Sequence, residues 1–491
     1  MIKLDLEPLM AGFEYDIYSL VKAFYPTEEI KTDSMEETEV SLWIGIKYKT
    51  EEELLLITWE DRQKGEKEQR LVEVLKAEQN GDRKAIKNCL KRGIYQILSE
   101  KTKKELPWGT LTGIRPVKIP YAMLEEGKSE EEIAYFIQNT YLTGEEKIRL
   151  SIEIAKRERE LLKGIDYQNG YSLYIGIPFC PTRCLYCSFP SYPLKSWEKR
   201  VDQYLDALCW ELEAVSQMLW VQGKQITTVY FGGGTPTTLT PKQMERLLKK
   251  VTETFDLRGS REFTVEAGRP DSITKDKLQV LYQYGVGRIS VNPQTMNQAT
   301  LDLIGRQHTV KQTQEAFQMA RECGFTNINM DIITGLPGEK KEDMEYTMQE
   351  LAKLKPDSVT VHSLALKRAS RLNEQKEQYA NYSSRNDAEI TTMTERYARE
   401  MGLLPYYLYR QKNMTGNLEN VGYAAIDKVG IYNILIMEEK QSIVACGAGS
   451  VSKRVYPDGR IERSENVKDV ALYIGKIDEM IERKRKLLTD F

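Results

Sequence analysis

The chain has 491 residues, enough for two or three domains, and its 41% hydrophobic and 29% charged residues are typical of a folded protein in water. No run of about 18 apolar residues predicts a membrane span, and the acidic start of the chain predicts no signal peptide. The 70 basic residues nearly cancel the 73 acidic ones, which argues against a nucleic-acid partner.

Residues 1–165 predict an α+β domain that carries no chemical motif. Two apolar runs flank the polar turn KTEEE within residues 41–63, and this arrangement predicts a β-hairpin. Pro and Gly make residues 107–120 a loop-rich joint. Helical spacing of apolar positions is found in residues 68–98, 128–140 and 144–163.

Residues 166–374 alternate short apolar runs with amphipathic helical stretches such as 204–215, 241–255 and 309–324. The apolar runs are residues 171–177, 226–231, 262–267, 287–292, 327–333 and 357–364. This alternation predicts a parallel α/β sheet with helical crossovers, curved into a partial (β/α)6 barrel. In such barrels the chemistry is found at the carboxyl ends of the strands.

Residues 375–491 predict an appended C-terminal region, because the strand–helix alternation ends there. A charged helix over 386–402 precedes the tyrosine-rich segment 405–423, and a strand–turn region follows to residue 453.

Three of the seven cysteines, Cys180, Cys184 and Cys187, form a C-x3-C-x2-C motif directly after the first barrel strand. An odd, uneven set of cysteines is unlike a disulfide framework and predicts a reducing cytoplasm and a metal site. Three thiolates can hold three irons of a [4Fe–4S] cluster and leave the fourth iron open. S-adenosylmethionine (SAM) can chelate that iron, and an electron can then release a 5′-deoxyadenosyl radical.

The alternatives are a structural zinc site and three unligated core cysteines. Zinc favours four ligands and paired C-x2-C units, whereas His308 and His362 are the two histidines in the chain and both lie far from the motif. The isolated Cys209, Cys323 and Cys446 are interpreted as small core residues.

The segments LYIGIPFCPTRCLYCSFP (173–190) and FGGGTPTTL (231–239) resemble the radical SAM superfamily, specifically the oxygen-independent coproporphyrinogen III oxidase (dehydrogenase) family. The N-terminal domain and residues 405–423 resemble its HemZ-type branch. The resemblance implies a [4Fe–4S] cluster held by the three cysteines, and one SAM molecule with room for a second.

The same resemblance implies contacts to SAM at the strand ends. Three residues are the predicted catalytic group: Tyr174, Glu266 and Arg306. The full set implied to contact SAM is Tyr174, Tyr186, Gly233, Gly234, Thr235, Glu266, Gln294, Arg306, Asp331 and Ala365. The residue types agree, because glycines allow close backbone approach and a carboxylate can accept ribose hydroxyls. Arginine can grip a carboxylate through two hydrogen bonds.

The family resemblance further implies oxidative decarboxylation of two propionates of coproporphyrinogen III, giving protoporphyrinogen IX in heme biosynthesis. A flavodoxin or ferredoxin is the expected electron donor. Arg368, Arg410 and Lys412 are candidates for binding propionates, and the expected macrocycle-stacking residues are Tyr406, Tyr407 and Tyr409.

Two positions depart from the best-known coproporphyrinogen enzymes. Gly176 replaces a histidine, and Phe189 replaces a fourth cysteine at a position where the heme-chaperone branch also has an aromatic residue. Phe189 is therefore either a hydrophobe facing the substrate or a core residue. The alternatives that follow are a heme chaperone of the same family and another radical SAM reaction, such as methyl transfer.

Overall fold

The computed structural model describes residues 1–32, 40–49, 54–73, 83–113, 115–189, 191–365, 370–375, 379, 386–411 and 414–489. The chain divides into two compact units: Met1–Lys156 with Arg410–Leu418, and Arg157–Tyr409 with Glu419–Phe491. Arg368, Lys412 and most of the predicted hairpin turn (50–53) lie outside the described residues. The three-part division at residues 165 and 374 stays a prediction.

The first unit contains a five-stranded sheet of order β2-β1-β3-β4-β5. Its elements, with the helix α5 that follows them, are β1 (Ile2–Leu6), α1 (Glu14–Phe24), β2 (Ile30–Lys31), β3 (Leu42–Lys49), β4 (Leu54–Asp61), β5 (Glu66–Glu73), α2 (Arg83–Thr102), α3 (Lys118–Glu125), α4 (Glu130–Tyr141) and α5 (Glu145–Leu161). Strand β1 pairs parallel with β2 and β3, whereas β3, β4 and β5 pair antiparallel. The predicted α+β character is therefore confirmed.

The hairpin predicted over 41–63 is present, with Lys49 opposite Leu54 at its closed end. The helix predicted from residue 68 is wrong at its start, because residues 66–73 form strand β5. Burial along β5 alternates residue by residue, which is the period of a strand with one face packed. The helix α2 begins at Arg83. Helix α3 begins within the predicted loop 107–120.

The elements of the second unit, in chain order, are β6 (Gly170–Ile177), β7 (Phe179–Cys180), β8 (Tyr192–Pro193), α6 (Leu194–Trp197), α7 (Val201–Ser216), α8 (Leu219–Gln222), β9 (Gln225–Gly233), α9 (Pro241–Thr254), β10 (Glu262–Gly268), α10 (Lys275–Gln283), β11 (Arg288–Val291), α11 (Gln298–Leu303), α12 (Val310–Glu322), β12 (Ile328–Thr334), α13 (Lys341–Leu354), β13 (Ser358–Ser363), α14 (Arg371–Glu374), α15 (Ala388–Glu400), β14 (Leu404–Tyr409), β15 (Asn420–Ala424), α16 (Ile431–Glu438), β16 (Ser442–Cys446), β17 (Val451–Val455), β18 (Ile461–Glu465), α17 (Val470–Gly475) and α18 (Ile477–Leu487).

The six predicted barrel strands are neighbours in the order β6-β9-β10-β11-β12-β13, and every adjacent pair is parallel. Strand β11 is buried at all four positions, including Arg288 and Ser290, as expected of a parallel strand in a sheet covered on both faces. Capping boxes at Thr240 and Thr309 begin the crossover helices α9 and α12. The predicted α/β barrel architecture is confirmed.

Strands of the C-terminal region extend this sheet at both edges. Strand β16 pairs parallel with β6, with Cys446 opposite Ile175, and β15 pairs antiparallel with β13. The region predicted as appended therefore supplies a seventh parallel strand, whose carboxyl end lies beside that of β6. Across the described ranges, none of the helices combines the length and the apolar character that a bilayer crossing requires.

Candidate iron–sulfur and SAM site

The cysteine loop begins where β6 ends. Cys180 lies on the short strand β7, which pairs with β8, and the amide of Cys187 donates to the carbonyl of Cys184 at 3.2 Å. Burial, with smaller contributions from the nearby Cys187 and Cys184 thiols, raises the pKa of Cys180 to about 11. All three thiols therefore share one electrostatic neighbourhood, and none is in a disulfide.

Two side chains from neighbouring strand ends reach the sulfur atoms. The hydroxyl of Thr235 donates to Cys180 Sγ at 3.5 Å, and Arg269 Nη1 donates to Cys184 Sγ at 3.7 Å. A Cβ at Gly234 would lie 3.0 Å from Cys180 Sγ and 2.6 Å from a backbone carbonyl oxygen, so only glycine fits there. The glycine segment after β9 therefore brings its backbone directly against the first cysteine.

The donor set fits a [4Fe–4S] cluster, because soft thiolates are the ligands that iron–sulfur clusters use. Within the described part of the chain, no group of three His, Cys, Asp or Glu side chains is placed to hold a single metal ion. A cube presents a separate iron to each thiolate, so its three ligands do not need to converge on one point. The three thiols are close enough for Cys184 and Cys187 to shift the pKa of Cys180, and hydroxyl and guanidinium donors lie beside two of the sulfurs.

Glu266, at the carboxyl end of β10, accepts a hydrogen bond of 2.5 Å from the hydroxyl of Tyr230. Burial raises the pKa of Glu266 to about 7, while the Tyr230 hydrogen bond acts in the opposite direction. The rings of Tyr174, Tyr230 and Tyr432 form a cluster of near-parallel rings, with 4.4 Å between the centroids of Tyr230 and Tyr432 and 6.2 Å from Tyr174 to each of them. The predicted catalytic residues Tyr174 and Glu266 thus meet through Tyr230.

Arg306 lies beside the second predicted aromatic contact. Its Nη2 donates to the Tyr186 hydroxyl at 3.3 Å and its Nη1 to the Asn292 carbonyl at 2.9 Å. Burial raises the pKa of Tyr186, and the Arg306 charge acts against this rise. The guanidinium is therefore held next to the residue that precedes the third cysteine.

Gln294 has a left-handed backbone conformation, with φ of +70°, which is uncommon for a residue with a side chain. Its amide donates to the Asp331 carbonyl and its carbonyl accepts from Ile333, both at 2.9 Å, so a backbone bridge to β12 holds this conformation. Gln294 Oε1 and Arg306 Nε are buried polar atoms with no hydrogen-bond partner among the described residues. Such orphaned atoms fit a site for a polar ligand such as SAM.

A polar chain links the middle of β12 to the carboxyl ends of β13 and β14. Asp331 accepts from Asn329 at 2.6 Å and lies 3.8 Å from His362 Nε2, and His362 Nδ1 is 3.3 Å from the Tyr409 hydroxyl. Burial would raise the pKa of Asp331, but the hydrogen bonds from His362 and Asn329 hold it below its usual range. A carboxylate is therefore maintained in the middle of β12.

The remaining predicted contacts lie around the same ends. Gly233 has φ of +107° at the end of β9, where a side chain would be strained, and Ala365 is two residues past β13. Phe189 is 60% exposed, so the interpretation of Phe189 as a core residue is wrong. At Gly176 an added Cβ would make ordinary contacts of 3.5 Å, so sterics do not require glycine there.

Three candidates for substrate binding are wrong. The guanidinium of Arg410 is buried and donates to the carbonyls of Leu111, Asn417 and Leu418, which leaves it a structural role. Tyr406 and Tyr407 are buried in an apolar cluster and cannot stack on a macrocycle.

Both histidines are near the site. Burial, before the neighbouring Arg306 charge, lowers the pKa of His308 to about 3, so this imidazole stays neutral. His362 lies on β13 in the polar chain with Asp331 and Tyr409, whereas Cys446 is a fully buried core residue.

Sequence reasoning missed Tyr230, Arg269 and Tyr432. Arg269 follows the end of β10 directly, so its position at a strand end was an available signal. Tyr432 comes from the C-terminal region, and nothing in its local sequence indicates that its ring packs on Tyr230.

A parallel β/α sheet whose first strand runs into a three-cysteine loop, with glycines and a carboxylate at the next strand ends, defines a radical SAM protein. The family model that describes the radical SAM superfamily matches residues 174–351. The oxygen-independent coproporphyrinogen-III oxidase-like protein HemZ of Bacillus subtilis (strain 168) is 41% identical over 408 residues, covering 82% of this chain and 81% of that protein.

The heme chaperone HemW of the same organism is 37% identical over 194 residues, which are 39% of this chain and 50% of that protein. The solved structure of the Escherichia coli coproporphyrinogen III oxidase HemN shares the fold, with a TM-score of 0.51 and 24% identity over 66% of this chain and 73% of that one. The chain belongs to the oxygen-independent coproporphyrinogen III oxidase family of radical SAM proteins, in its HemZ-type branch. Membership implies a [4Fe–4S] cluster and SAM.

Proposed function

We propose that the protein is a radical SAM oxidoreductase that converts coproporphyrinogen III to protoporphyrinogen IX by oxidative decarboxylation of two propionates. The observation that supports the proposal is that two buried atoms, Gln294 Oε1 after β11 and Arg306 Nε in the loop after α11, have no hydrogen-bond partner among the described residues, and that Arg306 contacts Tyr186 of the cysteine loop. The coproporphyrinogen substrate rests on the 41% identity to a relative named as oxidase-like over 82% of the chain.

In this proposal Cys180, Cys184 and Cys187 hold the cluster, and residues at the strand ends hold SAM. Glu266, ordered by the Tyr230 hydrogen bond, accepts hydrogen bonds from the ribose hydroxyls. The backbone of Gly233, Gly234 and Thr235 offers hydrogen-bonding groups at the close approach that glycine permits. Arg306 grips a carboxylate and Tyr186 packs on the adenine.

When bound, the cluster and SAM supply a 5′-deoxyadenosyl radical that removes one hydrogen atom from a propionate. Each propionate would then lose CO2 and pass one electron to an external one-electron acceptor, and so become a vinyl group. The task of the chain is to position one C–H bond and exclude water. Phe189 is the exposed aromatic residue nearest to the cysteines in sequence, and His362 and Tyr409 lie at the carboxyl ends of β13 and β14, with 3.3 Å between His362 Nδ1 and the Tyr409 hydroxyl. We assign these three residues to the tetrapyrrole.

The test is anaerobic reconstitution with iron and sulfide, followed by incubation with SAM, dithionite and coproporphyrinogen III. Protoporphyrin recovered after oxidation, together with 5′-deoxyadenosine, is the expected result. Formation of 5′-deoxyadenosine without a tricarboxylic or dicarboxylic porphyrin would reject the substrate. S-adenosylhomocysteine among the products would indicate methyl transfer instead. Parallel reactions with a flavodoxin and with a ferredoxin test the electron donor.

A heme chaperone is the second candidate, favoured by the 37% identity to HemW over 194 residues and by the exposed Phe189. Titration of the reconstituted protein with heme separates the two functions. A chaperone binds heme tightly, with a shifted Soret band, and forms no protoporphyrin. An oxidase forms protoporphyrin, and free heme competes poorly with its substrate.

A further inference from the structure

Arg269 is a buried cation at the edge of the cysteine loop. Only 3% of its surface is exposed, although arginine is rarely fully buried without a partner. Its Nε and Nη2 bind the two carboxylate oxygens of Asp271 at 3.0 and 2.7 Å. This two-pronged ion pair fixes the plane of the guanidinium.

The third nitrogen of that guanidinium, Nη1, faces the cysteine loop. It donates to the carbonyl and the hydroxyl of Thr182 at 3.1 and 2.8 Å and lies 3.7 Å from Cys184 Sγ. One side of Arg269 is therefore neutralised by Asp271, while the other side presents positive charge to a cysteine sulfur.

We propose that Arg269 is a positioning residue that sets the reduction potential of the cluster through the Cys184 thiolate, with Asp271 as its counter-charge. The inference rests on the cluster assignment under the proposed function and is independent of the substrate. Reduction adds one negative charge to the cluster. A buried cation in contact with a ligand sulfur stabilises the reduced form, because hydrogen bonds and nearby charge tune such clusters.

The pair of charges separates this role from a purely structural one. If Arg269 only braces the loop, loss of either Arg269 or Asp271 loosens the same contacts and changes the cluster in the same direction. If Arg269 acts by its charge, its loss lowers the potential, whereas loss of the Asp271 carboxylate leaves the cation less neutralised and raises the potential. If Arg269 acts by its charge, the two substitutions should therefore shift the reduction potential in opposite directions.

The test compares the full-length protein, reconstituted anaerobically, with Arg269→Gln, Arg269→Lys and Asp271→Asn. Arg454→Gln is the matched control, because Arg454, on β17, is likewise buried but donates to the carbonyls of Leu487 and Thr489. Iron content is measured first. The midpoint potential is then measured by titration with dithionite, followed by electron paramagnetic resonance of the reduced cluster.

For Arg269→Gln we expect at least a tenfold less favourable reduction equilibrium, which is 59 mV lower for one electron. Arg269→Lys keeps the charge, so its midpoint potential should shift less than half as far. The midpoint potential should rise in Asp271→Asn and should stay unchanged in Arg454→Gln. Equal potentials in wild type and Arg269→Gln at full iron content would overturn the inference, as would shifts of the same sign in Arg269→Gln and Asp271→Asn. If Arg269→Gln fails to hold iron, the midpoint potential of Asp271→Asn decides: a potential above that of the wild type supports the proposal, and an equal or lower one overturns it. Failure of the wild type to bind a cluster would instead reject the cluster assignment.

Discussion

The buried ion pair between Glu211 and Lys484 provides the sharpest test of how the C-terminal region is held to the barrel. Both side chains are 0% exposed, and their closest atoms are 2.6 Å apart. Glu211 Oε1 accepts from Lys484 and from Asn466 at 2.8 Å. Oε2 accepts from the Gly447 amide at 2.7 Å and from the Tyr473 hydroxyl at 2.6 Å. Each carboxylate oxygen therefore faces two donors.

Glu211→Gln preserves volume but replaces one of these oxygens with an NH2 group, so either orientation of the amide opposes two donors. It also leaves the Lys484 ammonium buried without a counter-charge. Removing one partner of a buried ion pair costs about 3–5 kcal/mol, and we expect a loss in that range. Addition of Lys484→Met removes the unpaired charge, so the double variant should recover part of the loss.

The free energy of unfolding in guanidinium chloride measures the overall effect, and hydrogen exchange over residues 442–453 reports locally on the Gly447 amide. Gly447 packs on Gly176 of β6, because a Cβ at Gly447 would lie 2.5 Å from the Gly176 carbonyl oxygen. Loosening of Gly447 should therefore also loosen β6, the strand that precedes the cysteine loop. Glu482→Gln on the same helix is the control, because its ion pair with Arg485 is exposed. A loss below about 1 kcal/mol, the scale of an exposed pair, would refute the reasoning.

Three further predictions concern the site and its surroundings. Cys184→Ala should lose most cluster absorbance and all SAM cleavage, whereas Cys323→Ala should keep both; retained cleavage in Cys184→Ala would reject the ligand assignment. Tyr230→Phe removes the 2.5 Å bond to Glu266 and should weaken SAM binding about tenfold by equilibrium titration, the loss of roughly one good hydrogen bond; unchanged affinity would argue against a SAM role for Glu266. Burial raises the pKa of Glu339 to about 7, so the folded state binds an extra proton between pH 4.5 and 7 and stability falls as pH rises through that window. Between pH 5 and pH 8 the free energy of unfolding of the wild type should fall by about 3 kcal/mol more than that of Glu339→Gln, as measured by denaturation at both pH values. The same pH dependence in the two proteins would contradict the assignment.

Local patterns were sufficient for the architecture of the second unit. All six barrel strands were predictable because each is a short apolar run bounded by turn residues, and the periodicity of a buried parallel strand is a property of its own segment. The cysteine spacing was equally informative, since C-x3-C-x2-C specifies ligand chemistry within eight residues. The helix predicted from residue 68 failed over residues 66–73, because a highly charged strand with one exposed face has a sequence similar to that of a surface helix.

The contacts around the cysteines depended on tertiary structure. Arg269 reaches Cys184 across 85 residues, and Lys484 reaches Glu211 across 273, so no window of sequence contains both members of either pair. The stacking of Tyr432 on Tyr230 likewise requires the C-terminal strands to join the barrel sheet.

The sequence by itself was sufficient to indicate the radical SAM class of this protein, because three cysteines at a set spacing and glycines after a strand are features of short local segments. Only the tertiary structure decided which polar groups complete the site and which are already satisfied. It assigned Arg410 to backbone carbonyls, left Gln294 Oε1 and Arg306 Nε without hydrogen-bond partners in the part of the chain that the structure describes, and exposed Phe189. The physical reason is that hydrogen-bond satisfaction and burial depend on every segment packed around a residue, and sequence order does not record those neighbours.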